Sequence, residues 1–198
     1  MSRRALRSAV AGVAVVALGV VAYGLEQPVP MLDWFDLAIH EVGHVLAYPL
    51  PELAMFLAGS VAQVAVPLGF AWYFWTTQRD RAAVAFCLAW AGTSARDVAV
   101  YVADAPVQAL PLVGGGTHDW AFILGRLDAI DRAESIAGLV SALGLVLVGV
   151  GLVVAVAGAM ERAPRHPVPL GRPSVAPPGP VVAPAAPGVE GDPWYDGS

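Results

Sequence analysis

The chain has 198 residues, of which 57% are hydrophobic and only 14% are charged, and its net charge at neutral pH is −5. A soluble domain of this size is normally about a quarter charged, so the composition favours a membrane protein of one small bundle. The weak negative charge, without a long basic cluster, argues against nucleic-acid binding. A single cysteine, Cys87, excludes an internal disulfide and a CxxC metal or redox site.

The first predicted element is an apolar helix over Ser8–Leu25, preceded by a cluster of arginines at residues 3, 4 and 7. About 20 apolar residues cross a bilayer core, so this segment of 18 residues is nearly long enough. An uncleaved membrane anchor is one interpretation. A signal peptide with a poor cleavage site at Ala22-Tyr23-Gly24 is the other.

The second element is a shorter helix over Asp33–Tyr48 that contains the motif HExxH, with His40 and His44 on one face and Glu41 between them. Histidines at i and i+4 can direct a nitrogen at the same ion, which predicts a Zn²⁺ site. A glutamate beside them can take a proton from zinc-bound water and act as a general base. Asp33 is the predicted N-cap. Asp36 either supports the His40 imidazole through a hydrogen bond or is an acidic residue favoured by the helix dipole.

Two further membrane spans follow, over Leu53–Gln78 and from about Ala82 to Asp104. On the first of these, Gln63 could position a substrate backbone or make an ordinary interhelical hydrogen bond. On the second, polar residues recur on one helical face. Because charges inside a membrane need partners, we expect this face to turn toward the metal helix, with Asp97 and Asp104 near the substrate. The face also includes Thr93 and Tyr101.

A catalytic zinc needs a third protein ligand, and the candidates beyond the HExxH helix are carboxylates and one histidine. They are Asp97, Asp104, His118 and Asp119. The last two are adjacent, so both cannot easily bind one ion, although either could from the Gly-rich turn that precedes them. Asp119 could equally be the N-cap of a helix over Trp120–Leu127.

The last span is predicted over Ser135–Met160, and the chain then becomes rich in proline, alanine and glycine. We therefore divide the chain into a membrane-embedded domain over residues 1–162 and a disordered tail over 163–198. The overall prediction is an all-α integral membrane bundle of about four transmembrane helices plus the shorter HExxH helix.

Three arginine clusters orient this bundle by the positive-inside rule. They lie before the first span, between the second and third spans at Arg79 and Arg81, and after the last span. The prediction is a multi-pass protein of the cell membrane, of the bacterial inner-membrane type, with the N-terminus and tail in the cytoplasm. This arrangement requires that the HExxH helix does not cross the bilayer fully. If it does cross, the later spans invert.

The order of these motifs resembles the site-2 protease family of intramembrane zinc metallopeptidases. Ile39–His44 resembles the zinc-binding helix of the family, and Ala58–Gln63 its Gly-Pro-x-x-Asn motif, with Ser60 for Pro and Gln63 for Asn. Leu110-Pro111-Leu112 followed by His118-Asp119-Trp120 is similar to the third motif, a Pro-containing turn and Leu-Asp-Gly. The resemblance covers about residues 33–127 and implies that Asp119 is the third zinc ligand.

We therefore predict a zinc metallopeptidase that cleaves a membrane or membrane-proximal protein, with Glu41 as general base. One alternative is a membrane metal-binding or scaffold protein without proteolytic activity. Another is a small transporter in which Asp97 and Asp104 bind a cation, although the chain lacks the inverted repeat that is typical of transporters.

Overall fold

The computed structural model describes residues 2–112 and 116–161, and over these residues it consists of helices and connecting segments without a β-strand. The predicted disordered tail over 163–198 lies outside the described residues, as do Gly114 and Gly115 of the Gly-rich turn. The helices are α1 (Arg3–Gly19), α2 (Leu32–Ala47), α3 (Glu52–Tyr73), α4 (Arg81–Asp104), α5 (Asp119–Arg126) and α6 (Ala133–Met160). Single π-helical turns, Val20–Gly24 and Phe74–Gln78, extend α1 and α3, and a 3₁₀ turn over Ile130–Arg132 leads into α6.

Four of these helices, namely α1, α3, α4 and α6 with their extensions, are long and apolar enough to cross a membrane. The prediction of four spans is confirmed at this level, and each lies within a few residues of its predicted limits. The HExxH helix α2 has 16 residues and is not among the four.

The central helix of the bundle is α4, which packs against α1, α3 and α6. In its most apolar window 61% of the residues are buried, against 22% in each of the other three spans. The outward faces of those three helices expose large apolar side chains such as Val13, Trp72 and Leu139, each at least 63% exposed. An apolar exterior around a polar interior is the arrangement expected of a helix bundle in lipid.

Small residues bring α4 and α6 into backbone contact. A Cβ atom at Gly92 would lie 2.5 Å from the carbonyl oxygen of Gly144, and one at Gly144 would lie 2.6 Å from the carbonyl oxygen of Gly92. The Tyr23 hydroxyl donates a hydrogen bond of 2.8 Å to the same Gly92 carbonyl and so ties the end of α1 to this crossing. Close approach through small residues is the usual way in which membrane helices pack.

Two of the three arginine clusters lie at one end of the bundle. At one end, Arg7 pairs with Asp80 at 2.6 Å and Arg81 pairs with Glu161 at 2.9 Å. Two of the three arginine clusters therefore meet at the same end, while the third begins at Arg162, beyond the described residues. The connections before and after α2 and around α5 lie at the opposite end.

Helix α2 begins one residue earlier than predicted, and Asp33 is not its N-cap. The N-cap position is Met31, which has a φ of 69° and makes no side-chain capping bond, and Asp33 lies in the first turn. Within the motif, Gly43 allows α2 to cross α3 closely, since a Cβ atom there would lie 2.6 Å from the carbonyl oxygen of Ala58. This crossing fixes which side of α3 the two histidines face.

Candidate metal centre

The two histidines of the motif and the aspartate at the start of α5 converge on one point. His40 Nε2 and His44 Nε2 lie 3.0 Å apart, and Asp119 Oδ2 lies 2.9 Å from the first and 3.1 Å from the second. Among the described residues, this is the one group of three His, Cys, Asp or Glu side chains whose ligand atoms all lie within 4.8 Å. The group is one that could hold a metal ion.

The tautomer of the neutral His44 ring is set by its other ring nitrogen. His44 Nδ1 lies 2.8 Å from the carbonyl oxygen of Met55 on α3, and a carbonyl can only accept. Nδ1 therefore carries the proton and donates it, so the neutral imidazole presents the lone pair of Nε2 to His40 and Asp119. Fixing the tautomer through the second nitrogen is how proteins prepare a histidine for a metal.

The donor set fits zinc. Two imidazole nitrogens and a carboxylate oxygen are a common catalytic zinc set, and zinc–ligand bonds of about 2.0–2.2 Å place tetrahedral ligands roughly 3.3 Å apart. The three observed separations, 2.9–3.1 Å, are only slightly shorter. The facing lone pairs of His44 Nε2 and Asp119 Oδ2 also need a cation or an added proton between them.

Gly59 on α3 provides the space for the cluster. A Cβ atom at this position would lie 2.5 Å from His44 Nε2 and 2.6 Å from His40 Nε2. These distances are far below normal contact, so no larger residue fits without displacing the ligand atoms. The backbone of α3 thus forms one wall of the site.

His118 was the other candidate for the third ligand, and the structure gives it a different position. It is the N-cap of α5, with Nδ1 accepting a hydrogen bond of 3.2 Å from the backbone N–H of Ala121. Its Nε2 lies 3.3 Å from Asp104 Oδ2, to which it donates. With both nitrogens engaged and the side chain 1% exposed, His118 is outside the metal-ligand group. It also takes the capping position that we had considered for Asp119, because Asp119 is the first helical residue.

Tyr101 on α4 holds the main chain of Asp119, the candidate third ligand. Its hydroxyl accepts a hydrogen bond of 3.1 Å from the backbone N–H of Asp119. Its ring stacks on His118, with centroids 4.1 Å apart, and meets the His40 ring edge-on at 6.0 Å. The Tyr101 side chain thus contacts the N-cap residue His118, the backbone of Asp119 and the ring of His40.

Asp36 makes no hydrogen bond to His40, which was one of the two roles predicted for it. Its two carboxylate oxygens accept hydrogen bonds of 2.8 Å from Trp90 Nε1 and from the Ser94 hydroxyl, both on α4. Burial raises the pKa of Asp36 to about 6, and the two hydrogen bonds act in the opposite direction. Asp36 therefore anchors α2 to the central helix, which positions His40 one turn later.

A cavity of about 750 Å³ opens onto the ligand atoms. Glu41, Gln63 and Asp97 line it together with His40, His44 and Asp119. Glu41 is exposed, whereas Gln63 is only 8% exposed. Glu41, Gln63 and Asp97, which the sequence predicts as general base, substrate-positioning residue and acidic residue near the substrate, therefore share one cavity with the candidate metal ligands.

The residues of the predicted polar face of α4 do not all face the cavity. Asp97 and Tyr101 line the cavity, but Thr93 is buried and donates to the Trp90 carbonyl at 2.9 Å. Asp104 faces the following loop, where it accepts from the backbone N–H groups of Ala109 and Leu110 at 3.0 Å and from His118. Asp104 is not among the cavity-lining residues, so the structure does not combine it with Asp97 in a single cation site.

Several residues at the site escaped sequence reasoning. The Met55 carbonyl acts through a contact between distant segments, which no local pattern reveals. Tyr101 belongs to the predicted polar face of α4, but its hydrogen bond with the Asp119 backbone was not predicted. Gly59 could have been singled out, since glycine early in an apolar span indicates close backbone approach. Trp90 and Ser94 lie four residues apart on α4 and could have been identified as one polar patch.

Comparisons with protein-family models, with curated proteins and with solved structures find no match to this chain.

Proposed function

We propose that the chain is a membrane-embedded zinc metallopeptidase, similar to the site-2 protease family, that cleaves a membrane or membrane-proximal protein. The observation that carries the proposal is the convergence of His40, His44 and Asp119 within 3.1 Å, in a cavity that Glu41 also lines. A metal site that serves only structure is normally closed by four protein ligands. Here three ligand atoms face a cavity large enough for part of a peptide.

Zinc bound by these three residues would supply Lewis acidity to a water molecule and to the carbonyl of the scissile bond. Glu41 takes a proton from the attacking water as its oxygen bonds to the carbonyl carbon. The carbon–nitrogen bond then breaks, and Glu41 returns the proton to the leaving amine. Gln63 lines the cavity from α3 and hydrogen-bonds the backbone of the bound peptide segment.

The location of the site supports a substrate inside or beside the bilayer. Gly59 lies seven residues into α3, about 10 Å from the start of that helix. The cluster is therefore set within the bundle, while α1, α3 and α6 present apolar side chains outward. A membrane-bound segment can reach such a site more readily than a folded soluble protein can.

The test pairs metal content with proteolysis for Glu41→Gln and for the double variant His40→Ala, His44→Ala, each purified in detergent. Glu41→Gln should keep about one zinc per chain and lose cleavage by roughly 10²–10⁴-fold, because the proton acceptor is gone. The double variant should lose both. Glu52→Gln, an exposed glutamate at the start of α3 that does not line the cavity, is the matched control and should behave as wild type.

The alternative of a metal-binding protein without proteolytic activity makes a different prediction. If Glu41→Gln keeps zinc and every cellular phenotype of the wild type, while loss of the histidines abolishes that phenotype, the metal has a structural or sensory role. Wild-type protein without zinc would contradict both interpretations.

A further inference from the structure

We propose that the cavity recognises a positively charged side chain, an ammonium or guanidinium group, of the bound peptide segment, placed beside Asp97. The inference rests on the proposed function only in taking the occupant to be a peptide. The charge of the cavity, an unpartnered buried amide and the apolar remainder of the lining carry it.

The charged lining of the cavity is one-sided. Its described residues include five carboxylates but no arginine or lysine. The carboxylates are Asp33, Asp36, Glu41, Asp97 and Asp119. Asp119 belongs to the metal cluster and Asp36 is hydrogen-bonded to α4. The other three remain to face an occupant.

Asp97 is the innermost of these three, because it lies on the central helix α4 about two turns before its end. Its carboxylate makes no hydrogen bond to another described residue. Its sequence neighbour Arg96 is not part of the cavity lining. A carboxylate in such a position attracts a cation more strongly than one at a water-exposed surface, since the local dielectric is lower.

Gln63 gives an independent indication that the cavity receives a polar occupant. It is 92% buried, lines the cavity from α3 and makes no side-chain hydrogen bond to another described residue. No fully enclosed side-chain nitrogen or oxygen among the described residues lacks a partner, so the Gln63 amide is accessible from the cavity. A buried amide that faces only a cavity is satisfied by whatever fills that cavity, whether water or a ligand that donates and accepts there.

The composition of the lining favours a cationic peptide side chain over a second metal ion as the occupant near Asp97. Apart from the His40–His44–Asp119 group, no three potential ligand atoms in the described part of the chain lie within 4.8 Å of one another, so the remaining carboxylates do not form a second metal site. The rest of the wall is largely apolar, with Leu37, Met55, Phe56, Val98, Leu110 and Leu112. An occupant with an apolar body and one cationic end matches both parts. An arginine or lysine residue at the edge of an apolar segment has this chemistry.

The experiment measures binding of fluorescent peptides to zinc-loaded, full-length Glu41→Gln in detergent micelles. The peptides share one apolar segment with blocked termini and differ at a single residue, which is arginine or its neutral isostere citrulline. A third peptide carries citrulline and a free N-terminal ammonium. We expect the arginine peptide to bind about tenfold more tightly than the blocked citrulline peptide at low salt, as is typical of one charge pair in a partly buried site.

Adding Asp97→Asn should reduce this ratio to near one, and Asp97→Glu should preserve it. Asp131→Asn removes an exposed carboxylate outside the cavity and should leave the ratio unchanged. Equal binding of the two blocked peptides, no binding of the arginine peptide, or a preference that survives Asp97→Asn would overturn the proposal. So would tighter binding of the peptide with the free terminus than of the arginine peptide. Because the readout is binding, selective binding without any cleavage by the wild type would count against the peptidase and leave this inference standing.

Discussion

The indole Nε1 of Trp120 donates a hydrogen bond of 3.0 Å to the Ser60 hydroxyl and joins α5 to α3. Both residues occupy positions at which the resemblance to the site-2 protease motifs is incomplete, since the motifs have proline where Ser60 lies and glycine where Trp120 lies. Ser60 adjoins Gly59, which leaves space for the metal cluster, and Trp120 adjoins Asp119, a member of that cluster. Their hydrogen bond therefore joins the start of α5, which carries Asp119, to the part of α3 that bears Gly59.

A double-mutant cycle tests this contact. Trp120→Phe and Ser60→Ala should each destabilise the protein by about 1 kcal/mol, because each removes one partner of a hydrogen bond and largely keeps the packing. The double variant should cost less than the sum, by roughly 0.5–1.5 kcal/mol. Thermal unfolding in one detergent measures all four proteins. Additive effects would mean that the bond contributes nothing to stability.

The position of His118 predicts different effects of two substitutions on zinc affinity. His118→Leu removes the N-cap and the contact with Asp104, so Asp119 should be held less firmly and zinc affinity should fall about tenfold or more. His118→Asn keeps a capping acceptor and should retain more of the affinity. Competition with a chromogenic zinc chelator measures both.

X-ray absorption of the zinc-loaded wild type provides the check on ligand identity. Two imidazole ligands are expected, from His40 and His44. A third imidazole would have to come from His118 or His166 and would contradict the proposed ligand set; repeating the measurement on His118→Asn would tell the two apart.

Gly59→Ala should abolish zinc binding with little effect on the fold. The added methyl group would occupy the space of the two Nε2 atoms, at 2.5 and 2.6 Å, and α3 cannot easily move away. Gly69→Ala, on the same helix, is the control, because a Cβ atom there has no neighbour within 4 Å. Zinc analysis of the two purified variants should find no bound zinc in Gly59→Ala and the wild-type content in Gly69→Ala. Normal zinc content in Gly59→Ala would show that α3 does not confine the site.

The arrangement of the bundle ends predicts the topology in cells. Arg7–Asp80 and Arg81–Glu161 gather two arginine clusters at one end, which the positive-inside rule assigns to the cytoplasm. A reporter fused after Met160 should report the cytoplasm, and one inserted in the turn over residues 114–117 should report the outer side. Both reporters on the same side would contradict four crossings.

The membrane helices and the shared face of the two histidines could be predicted from the sequence, because each depends on residues close together in the chain. Absence of charge over about 20 residues is enough to indicate a membrane helix, and three of the four spans follow from it. The span over α4 was predicted from its apolar first part, although it contains Arg96, Asp97 and Asp104. The spacing of His40 and His44 is likewise a property of one helix, so their shared face needs no knowledge of the fold. Asp119 was one of several candidates by residue type, and only the resemblance favoured it.

The remaining features depend on which helix faces meet. Whether Asp36 bonds to His40 or to α4 is decided by the rotation of α2 against Trp90 and Ser94, which no periodicity encodes. The division of roles between His118 and Asp119 turns on a one-residue difference in where α5 begins. Helix ends are the least determined part of a sequence pattern, because capping bonds of similar strength compete there.

The distance along the chain between the ligands has a consequence for how the ion acts on folding. His40 and Asp119 are 79 residues apart and belong to elements that pack mainly against α3 and α4. An ion that joins them closes a loop of that length, as a long-range cross-link does, and a cross-link favours the folded chain mainly by restricting the unfolded one. Zinc would then connect two segments that are distant in the sequence. Its removal should increase hydrogen exchange in α2 and α5 together, whereas the crossing of α4 and α6 through Gly92 and Gly144 should stay protected.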